Sequence, residues 1–439
     1  MQTNRAGPQH QHQPATLPMT AARAQEIAAS FDLRALPPDF YANPYPVYDL
    51  LRDNHPVRHM PDGSYFLTRH KDLVAVYRDA QAFSSDKKVE FAPKYGPGTP
   101  LFAHHTTSLV FSDPPLHTRV RKLIMGALTR RAIADMEAGL VVLVDRLLDT
   151  IEAQGGGDLI SDYASAIPVE IIGNLLGVPH ADRGPLRSWS LALLGALEPV
   201  LTPQQQALGN RSVTEFCAYL KELVAERRSH PGDPEHDVLT RLVQGENADD
   251  GGQLSEAELL HNCIFILNAG HETTTNLIGN ALVALQEWPW ARAELLAQMQ
   301  RLARDAPALE AFMSTAVDEL LRFESSNQLG NRRALQATTV GGVALPGGAL
   351  VTLCIGAANR DPAQFDSPNK LDIHRQENRH LAFGLGIHQC AGLSLARLEG
   401  RVAIGRFLAR FPEYRLTGQP VRGGRARFRG FQEAGFVAG

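Results

Sequence analysis

The chain has 439 residues, of which 44% are hydrophobic and 21% are charged, an ordinary composition for a globular protein. Its formal net charge of -4 excludes a global basic field that would attract nucleic acid, and no apolar run approaches the roughly 20 residues of a membrane span. The four cysteines, Cys217, Cys263, Cys354 and Cys390, have neither disulfide nor zinc spacing, which favours a reducing compartment. We therefore expect a soluble cytoplasmic protein that binds neither nucleic acid nor a membrane.

The first 37 residues are expected to form a disordered polar tail, because MQTNRAGPQHQHQPATLP contains no apolar core. Apolar spacing then predicts a short helix within Phe40–Asp53, a strand over residues 64–68 and a helix over residues 71–79. Residues 84–108 are rich in proline and glycine and are expected to be irregular. A loop of this length inside a compact domain is usually functional or mobile.

The stretch FSDPPLHTRVRKLIMGALTRR is predicted to begin a helix, since proline is tolerated in a first turn. His117 and Arg121 are four residues apart and share one face of that helix. Lys122, Arg130 and Arg131 add further positive charge to the same helix. This local basic patch is a candidate docking site for an acidic electron donor, and a solvated surface is the alternative interpretation.

The middle of the chain is predicted to be helical. Residues 139–179 and residues 181–228 each suggest two helices, the second pair separated near Thr202–Pro203. The longest predicted helix is Glu256–Gln286, which has no internal proline and would extend roughly 45 Å.

The sequence AGHETT, residues 269–274, lies inside this longest helix. Gly270 costs about 1 kcal/mol relative to alanine in a helix interior, so its position calls for a reason. Thr273 can donate a hydrogen bond to an upstream carbonyl and bend the helix. A glycine, the acid Glu272 and an alcohol suggest a local widening that admits oxygen and water. A helix kink with a core threonine and a surface glutamate is the alternative.

Glu319 and Arg322 are three residues apart on one predicted helical face, which alone is a weak signal because such pairs are common on surfaces. The following segment predicts two strands joined by a turn at Pro346–Gly347. Arg332 and Arg333 would point in opposite directions on an extended strand, so only one of them can face a common site.

The stretch FGLGIHQCAG, Phe383–Gly392, contains Cys390 among three glycines. Glycines adopt positive φ angles and allow close approach to the main chain, so such a loop can turn its N–H groups toward a sulfur and favour the thiolate. The apolar spacing after the loop predicts a helix, whose N-terminal dipole also favours an anion. The absence of a second Cys or His at zinc spacing argues against a structural zinc site. An axial thiolate for a planar cofactor such as haem fits better, with a buried inert cysteine as the alternative.

The pattern F-G-x-G-x-H-x-C-x-G resembles the cysteine loop of the cytochrome P-450 family, in which a cysteine thiolate binds haem iron. Four further motifs resemble the family in the expected order. The resemblance implies that Cys390 is the iron ligand, and that Glu272 and Thr273 form the oxygen-activation site. It assigns the other positions to two groups: the haem propionates and pocket (His117, Arg121, Ala269, Gly270, Arg332, Phe383, His388, Gly392), and a buried network bracing the cysteine loop (Glu319, Arg322, Arg375).

The resemblance covers residues 38–439 and implies a single, mainly α domain with small β sheets, folded as a triangular prism around haem b. Residues 84–108 would roof the substrate pocket, and residues 181–228 would form its access lid. The implied reaction is reductive activation of dioxygen and insertion of one oxygen atom into a small to medium, largely apolar substrate. No flavin or iron–sulfur segment is visible, so electrons would come from a ferredoxin-type donor with an NAD(P)H-dependent reductase. We expect a monomer.

The chain departs from the family pattern at Ser326, where many relatives have proline. Asn327, Gln328 and Asn268 are polar near the expected pocket, where they would hydrogen-bond a polar group of the substrate or cap the local backbone. Two other functions stay open. A peroxide-driven haem-thiolate enzyme is disfavoured by the intact Glu272–Thr273 pair, and a non-catalytic haem-binding or gas-sensing protein lacks a visible output segment.

Overall fold

Helices contain most of the residues that the computed structural model describes, which are residues 19–234, 237–244 and 254–439. The helices in the first half are α1 (Ala21–Ala29), α2 (Pro38–Ala42), α3 (Tyr45–Asn54), α4 (His70–Arg78), α5 (Lys88–Tyr95), α6 (Pro100–Thr107), α7 (Leu116–Ala127), α8 (Arg130–Gln154) and α9 (Ala166–Leu175). Those in the second half are α10 (Gly184–Gly195), α11 (Pro203–Ser229), α12 (Val238–Gln244), α13 (Glu256–Glu287), α14 (Pro289–Leu302), α15 (Ala306–Phe323), α16 (Ile355–Ala358) and α17 (Leu393–Arg410).

The strands are short and form small sheets. They are β1 (Val57–His59), β2 (Tyr65–Leu67), β3 (Phe83–Ser84), β4 (Gly156–Asp158), β5 (Leu329–Ala334), β6 (Thr338–Val340), β7 (Val343–Leu345), β8 (Leu350–Cys354), β9 (Arg415–Leu416), β10 (Val421–Arg422), β11 (Phe431–Glu433) and β12 (Gly435–Val437). The five-stranded sheet has the order β1-β2-β8-β5-β3, and only its β2–β8 pair is parallel. The other sheets have the orders β4-β12-β9, β10-β11 and β6-β7. The predicted fold class, mainly α with small β sheets, is confirmed.

Helix α13 is the longest element, with 32 residues, and matches the predicted helix. It begins with a capping box, in which Ser255 accepts a hydrogen bond from the Glu258 backbone and the Glu258 side chain accepts one from the Ser255 backbone. It ends before Pro289, which starts α14. Most of its residues are buried, and it packs against α9, α10, α11 and α17. Each face of α13 therefore lies against a different part of the protein.

Two predictions for the first quarter of the chain are wrong. The expected tail overlaps α1, which buries Ala24 and Ile27, and Phe31 beyond it stacks on Phe66 with ring centroids 4.9 Å apart. The rest of that tail, residues 1–18, lies outside the described residues. The segment 84–108, expected to be irregular, contains α5 and α6, because Pro100 occupies the first turn of α6 behind the N-cap Thr99. Proline here starts a helix and does not mark a loop.

The helical hairpin 181–228 is confirmed, since α10 and α11 are separated at Thr202, the N-cap of α11. The predicted basic helix is instead two helices, because Thr129 caps a new helix that begins at Arg130. Among the described helices, none combines the length and the apolar character needed to cross a membrane.

Candidate active site

A cavity of about 350 Å³ lies between α13, β5 and the cysteine loop, and its wall is mostly apolar. Helices α6, α7, α9 and α17 and the segment between β10 and β11 also contribute to the wall. Cys390 lines this cavity together with Phe383, Gly392 and His388 of its own loop. The predicted cysteine loop therefore faces an enclosed apolar space.

Backbone geometry explains the glycines of the cysteine loop. Gly384 and Gly386 have φ angles of +63° and +74°, and a Cβ on Gly386 would lie 2.1 Å from the carbonyl oxygen of Tyr77. The Cys390 backbone N–H donates to the Phe383 carbonyl at 2.9 Å, which closes the loop. Gly392 is the N-cap of α17. These positions fix the cysteine two residues before a helix N-terminus.

The groups around the Cys390 thiol shift its pKa in opposite directions. Burial raises the pKa of Cys390, while the Gly392 backbone N–H and the cations Arg121 and Arg397 lower it. A metal cation at the sulfur would add the positive charge that the buried thiolate needs, since a coordinating thiol is deprotonated. The thiol is therefore suited to bind a metal cation.

One end of the cavity is cationic. Arg121, Arg332 and His388 line it, and His117 packs on His388 with ring centroids 4.2 Å apart. Arg332 lies over the ring of Tyr77 at 5.2 Å. Burial lowers the pKa of both arginines. Burial and neighbouring cations lower the pKa of His388 to about 2.

These groups lack acidic partners in the part of the chain that the structure describes. Neither Arg121 nor Arg332 forms an ion pair there, and both ring nitrogens of His117 and Nε2 of His388 are buried without a hydrogen-bond partner. Arg333 points the other way and pairs with Glu90 at 2.8 Å, as the strand alternation predicted. Unpaired buried donors beside a thiol fit a cofactor that carries carboxylates, as haem does.

Ala269, Gly270 and Thr273 of α13 also line the cavity. A Cβ on Gly270 would lie 2.1 Å from Cδ1 of Ile172, so the glycine permits close packing of α9. The Thr273 hydroxyl donates to the Ala269 carbonyl at 2.6 Å, which is the predicted bond to an upstream carbonyl.

Glu272 does not line this cavity. It lies on the other side of α13, in a second cavity of about 220 Å³ that contains Arg187, His271 and Arg425. Its carboxylate accepts a hydrogen bond from Arg425 at 3.1 Å. Burial raises the pKa of Glu272, and Arg425 opposes that shift. The acid and the alcohol of AGHETT therefore face different cavities, and the acid is buried, so the alternative of a surface glutamate is wrong.

Glu319, Arg322 and Arg375 meet in a buried network. Arg322 donates to both oxygens of Glu319 at 2.7 and 2.8 Å, and Arg375 donates to Glu319 at 3.0 Å. Both Glu319 and Arg322 side chains are fully buried, so this is not a surface pair. Arg322 also donates to the carbonyl of Asn359, whose side chain accepts the Leu381 backbone N–H at 2.7 Å. The network thus reaches the start of the cysteine loop.

Two of the three predicted polar pocket residues line the cavity. The Oδ1 atoms of Asn268 and Asn327 are buried and have no hydrogen-bond partner among the described residues. Ser326, where the sequence departs from the expected pattern, lines it too. Gln328 does not, and its side chain donates to the Ser325 carbonyl at 2.7 Å. The predicted substrate contact of Gln328 is therefore wrong, because the side chain caps local backbone instead.

The cavity also contains side chains that the sequence patterns did not identify, namely His104 and His105 of α6 and Arg427 of the segment between β10 and β11. The histidine pair could have been found, since it lies in the segment expected to roof the pocket. Arg427 lies in RGGRARFRG, where no periodicity indicates which arginine is buried.

The predicted basic patch is partly neutralised. Arg119 of α7 pairs with Glu258 at 2.6 Å. Arg130 and Arg131, at the start of α8, are exposed. The remaining exposed charge is therefore concentrated at the junction of α7 and α8.

Comparison with known proteins gives consistent relatives. The cytochrome P450 family model matches residues 188–418. The chain is 34% identical over 382 residues to the biotin biosynthesis cytochrome P450 of Bacillus subtilis (strain 168), covering 86% of this chain and 92% of that protein. It is 35% identical over 422 residues to the epothilone C/D epoxidase of Sorangium cellulosum, covering 95% and 97%. The crystal structure of P450BioI with an acyl carrier protein ligated to hexadec-9Z-enoic acid superposes with a TM-score of 0.81 at 33% identity, covering 91% of this chain and 99% of that one.

Proposed function

Since the chain belongs to the cytochrome P450 family, we propose that Cys390 provides the thiolate that holds its haem. The protein is a haem-thiolate monooxygenase, which binds haem b and uses dioxygen and electrons from redox partners to oxidise a small-molecule substrate. When bound, haem supplies the iron at which dioxygen is reductively activated, with the thiolate favouring O–O cleavage. The observation that carries the assignment is the Cys390 thiol on the wall of an apolar cavity with unpaired cations at one end.

Arg121, Arg332, His117 and His388 bind the haem propionates in this proposal. The absence of acidic partners for the two arginines in the described chain supports this role, because a cation partly withdrawn from water is costly unless an anion compensates it. Glu319, Arg322 and Arg375 hold the cysteine loop in place through Asn359. The role of this network is structural.

The substrate occupies the apolar part of the same cavity. Asn268 and Asn327 offer it buried amide oxygens that lack partners within the described chain, so a substrate hydroxyl or N–H would be recognised there. Thr273 and Glu272 deliver protons from the two sides of α13. The hydroxyl of Thr273 faces the cavity, and the carboxyl of Glu272, with its raised pKa, exchanges protons in the second cavity.

The test of the proposal is Cys390→Ser. A serine hydroxyl cannot replace the thiolate, so the variant is expected to lose the red-shifted ferrous–CO absorption band of thiolate-ligated haem. Cys217→Ser, in α11 away from the cavity, is the matched control and should keep the band. A folded Cys390→Ser protein that retains the band would contradict the assignment and direct attention to Cys354 or Cys263.

The redox partner in this proposal is a ferredoxin-type protein with an NAD(P)H-dependent reductase, acting on a monomeric enzyme in the cytoplasm. The exposed Arg130 and Arg131 form the docking face together with Lys122, which supports an acidic donor. The reduction rate should fall steeply as ionic strength rises, because exposed charges are screened beyond about 8–10 Å at physiological salt. Replacing both arginines with Glu should slow reduction, while Arg211→Glu on α11 should not. A salt-independent rate would argue for an apolar docking surface.

A further inference from the structure

We propose that Arg427 binds a carboxylate of the substrate, so that the enzyme acts on an apolar molecule that carries one acid group. This inference rests on the proposed function of the cavity. It concerns a residue that none of the cytochrome P450 motifs in this chain includes.

The guanidinium of Arg427 lines the cavity and makes hydrogen bonds only to neutral acceptors. It donates to the carbonyl oxygens of Leu329 at 2.7 Å and Leu197 at 3.3 Å, and to Oδ1 of Asn331. Over the described ranges of the chain, no carboxylate lies within ion-pair distance of it. A guanidinium has five N–H donors, so two remain for a ligand.

The acid that acts on the charge of Arg427 is Glu198, which forms no ion pair with the guanidinium in the described chain. The Glu198 carboxylate accepts the backbone N–H groups of Ala426 and Arg427 at 2.9 and 3.2 Å. Lys94 donates to the Glu198 carbonyl at 2.7 Å, and burial and Arg427 together lower the pKa of Lys94 to about 7. His105 lies in the same region, with Nε2 buried and unpartnered among the described residues. An anion bound here would give the Arg427 guanidinium the ion-pair partner that it lacks in the described chain.

This site is separate from the proposed haem end of the cavity. The cations that lower the pKa of His388 are Arg332, Arg121 and Lys87. Asn331, whose Oδ1 accepts a hydrogen bond from Arg427, precedes Arg332 on β5, and both residues line the cavity. Arg427 instead bridges β5 and the end of α10, where the apolar body of a ligand can extend from it along the wall.

A guanidinium binds a carboxylate through two parallel charge-assisted hydrogen bonds, which are stronger than neutral ones and specific for a planar anion. A chain of apolar carbons ending in a carboxylate therefore fits this wall better than the corresponding alcohol. The alternative role of Arg427 is structural, as a link between α10, β5 and the segment between β10 and β11. Replacing a purely structural residue should change the affinity for every ligand by the same factor.

The experiment titrates the haem-loaded enzyme at pH 7.5 with dodecanoate and, in parallel, with 1-dodecanol, using optical difference spectra and calorimetry. Wild type should bind the acid about 10-fold or more tightly than the alcohol, and Arg427→Gln should weaken the acid about 10- to 100-fold and leave the alcohol unchanged. Arg427→Lys should restore part of the affinity for the acid. Arg415→Gln, an exposed position on β9, should behave as wild type.

Three results would overturn the inference: equal binding of acid and alcohol by wild type, equal weakening of both by Arg427→Gln, or no binding of any acid from octanoate to hexadecanoate. Calorimetry detects binding without the iron spectrum. Equal binding of acid and alcohol by a wild-type protein with an intact thiolate band would therefore reject the role of Arg427 alone, whereas failure of the Cys390→Ser test would reject the proposed function alone.

Discussion

The two cavities beside α13 differ in character although the same helix forms one wall of each. The first, which contains Cys390 and Thr273, is mostly apolar. The second is smaller and contains Glu272, His271, Arg187 and Arg425. Phe428 lines both and lies at their boundary.

Each cavity contains one buried acid, and the two acids are compensated differently. Glu272 has Arg425 as a charged partner, whereas the one partner of Glu399 of α17 among the described residues is the hydroxyl of Thr274, at 3.4 Å. Burial raises the pKa of both. The comparison shows that α13 separates a mostly apolar cavity, in which we propose that the cofactor and substrate bind, from a charged cavity suited to exchange protons. The following predictions test that division, beginning with the largest expected effect.

The division requires that the first cavity holds haem. Arg121→Ala combined with Arg332→Ala removes two buried cations from its end, so we expect the purified protein to lose most of its haem. The measurement is haem content per chain. Arg333→Ala is the matched control, because Arg333 is the next residue on the same strand but pairs with Glu90 outside the cavity. Unchanged haem content in the double variant would show that the propionates are bound elsewhere.

Glu272→Gln tests the second cavity. The amide keeps the shape of the side chain but cannot act as an acid or a base. A general acid or base typically contributes about 10²-fold or more to the reaction rate. Turnover should therefore fall by about 10²-fold, while the dissociation constant of the substrate stays unchanged. The control is Glu256→Gln, an exposed acid at the start of the same helix. Normal turnover of Glu272→Gln would mean that the second cavity has no part in proton delivery.

Thr273→Ala tests the first cavity. Its hydroxyl acts only during oxygen activation in this proposal, so the variant should bind substrate and accept electrons as wild type does. It should release hydrogen peroxide in place of product, with product formed per NADH consumed falling about tenfold, consistent with the loss of an organised proton donor. Thr275→Ala is the matched control, since Thr275 makes the same backbone bond, to His271 at 2.9 Å, but lines the second cavity. If Thr273→Ala forms as much product per NADH consumed as wild type does, another group delivers the protons.

The sequence predicted the helix α13 and the cysteine loop, because an uninterrupted run without proline and a cluster of glycines are local signals. The buried Glu319 network followed from the family resemblance, since the spacing of Glu319 and Arg322 alone is a weak signal. It did not predict that Glu272 and Thr273 face different cavities. Neighbours on a helix differ by about 100° in direction, and which of them meets a cavity depends on elements distant in the sequence. The same reason explains why the sequence did not identify Arg427 as a cavity residue and did not place Gln328 outside the cavity. The Gln328 backbone N–H donates to the Arg427 carbonyl at 2.8 Å, a pairing 99 residues apart that no local pattern encodes.

The last prediction distinguishes the two acids through stability. Burial raises the pKa of Glu399 to about 8, and its Oε1 has no hydrogen-bond partner in the described part of the chain. In the unfolded chain a glutamate titrates near pH 4.3. Between about pH 4.5 and pH 8 the unfolded chain therefore loses a proton that the folded protein keeps, so the free energy of unfolding of wild type falls as pH rises, by at most about 1.4 kcal/mol per pH unit.

Glu399→Gln removes the ionisable group. It should therefore flatten the pH dependence of the free energy of unfolding between about pH 4.5 and pH 8. Between pH 5 and pH 8 the Tm of wild type should fall by a few degrees more than the Tm of the variant. This is the size expected for a difference of about 1–2 kcal/mol in the free energy of unfolding of a protein of this length. The measurement is Tm by calorimetry at pH 5, 6, 7 and 8, with the exposed Glu413→Gln as control. Parallel curves for Glu399→Gln and wild type would mean that the carboxyl is ionised when folded. The first cavity would then contain a compensating charge, and its contrast with the second would disappear.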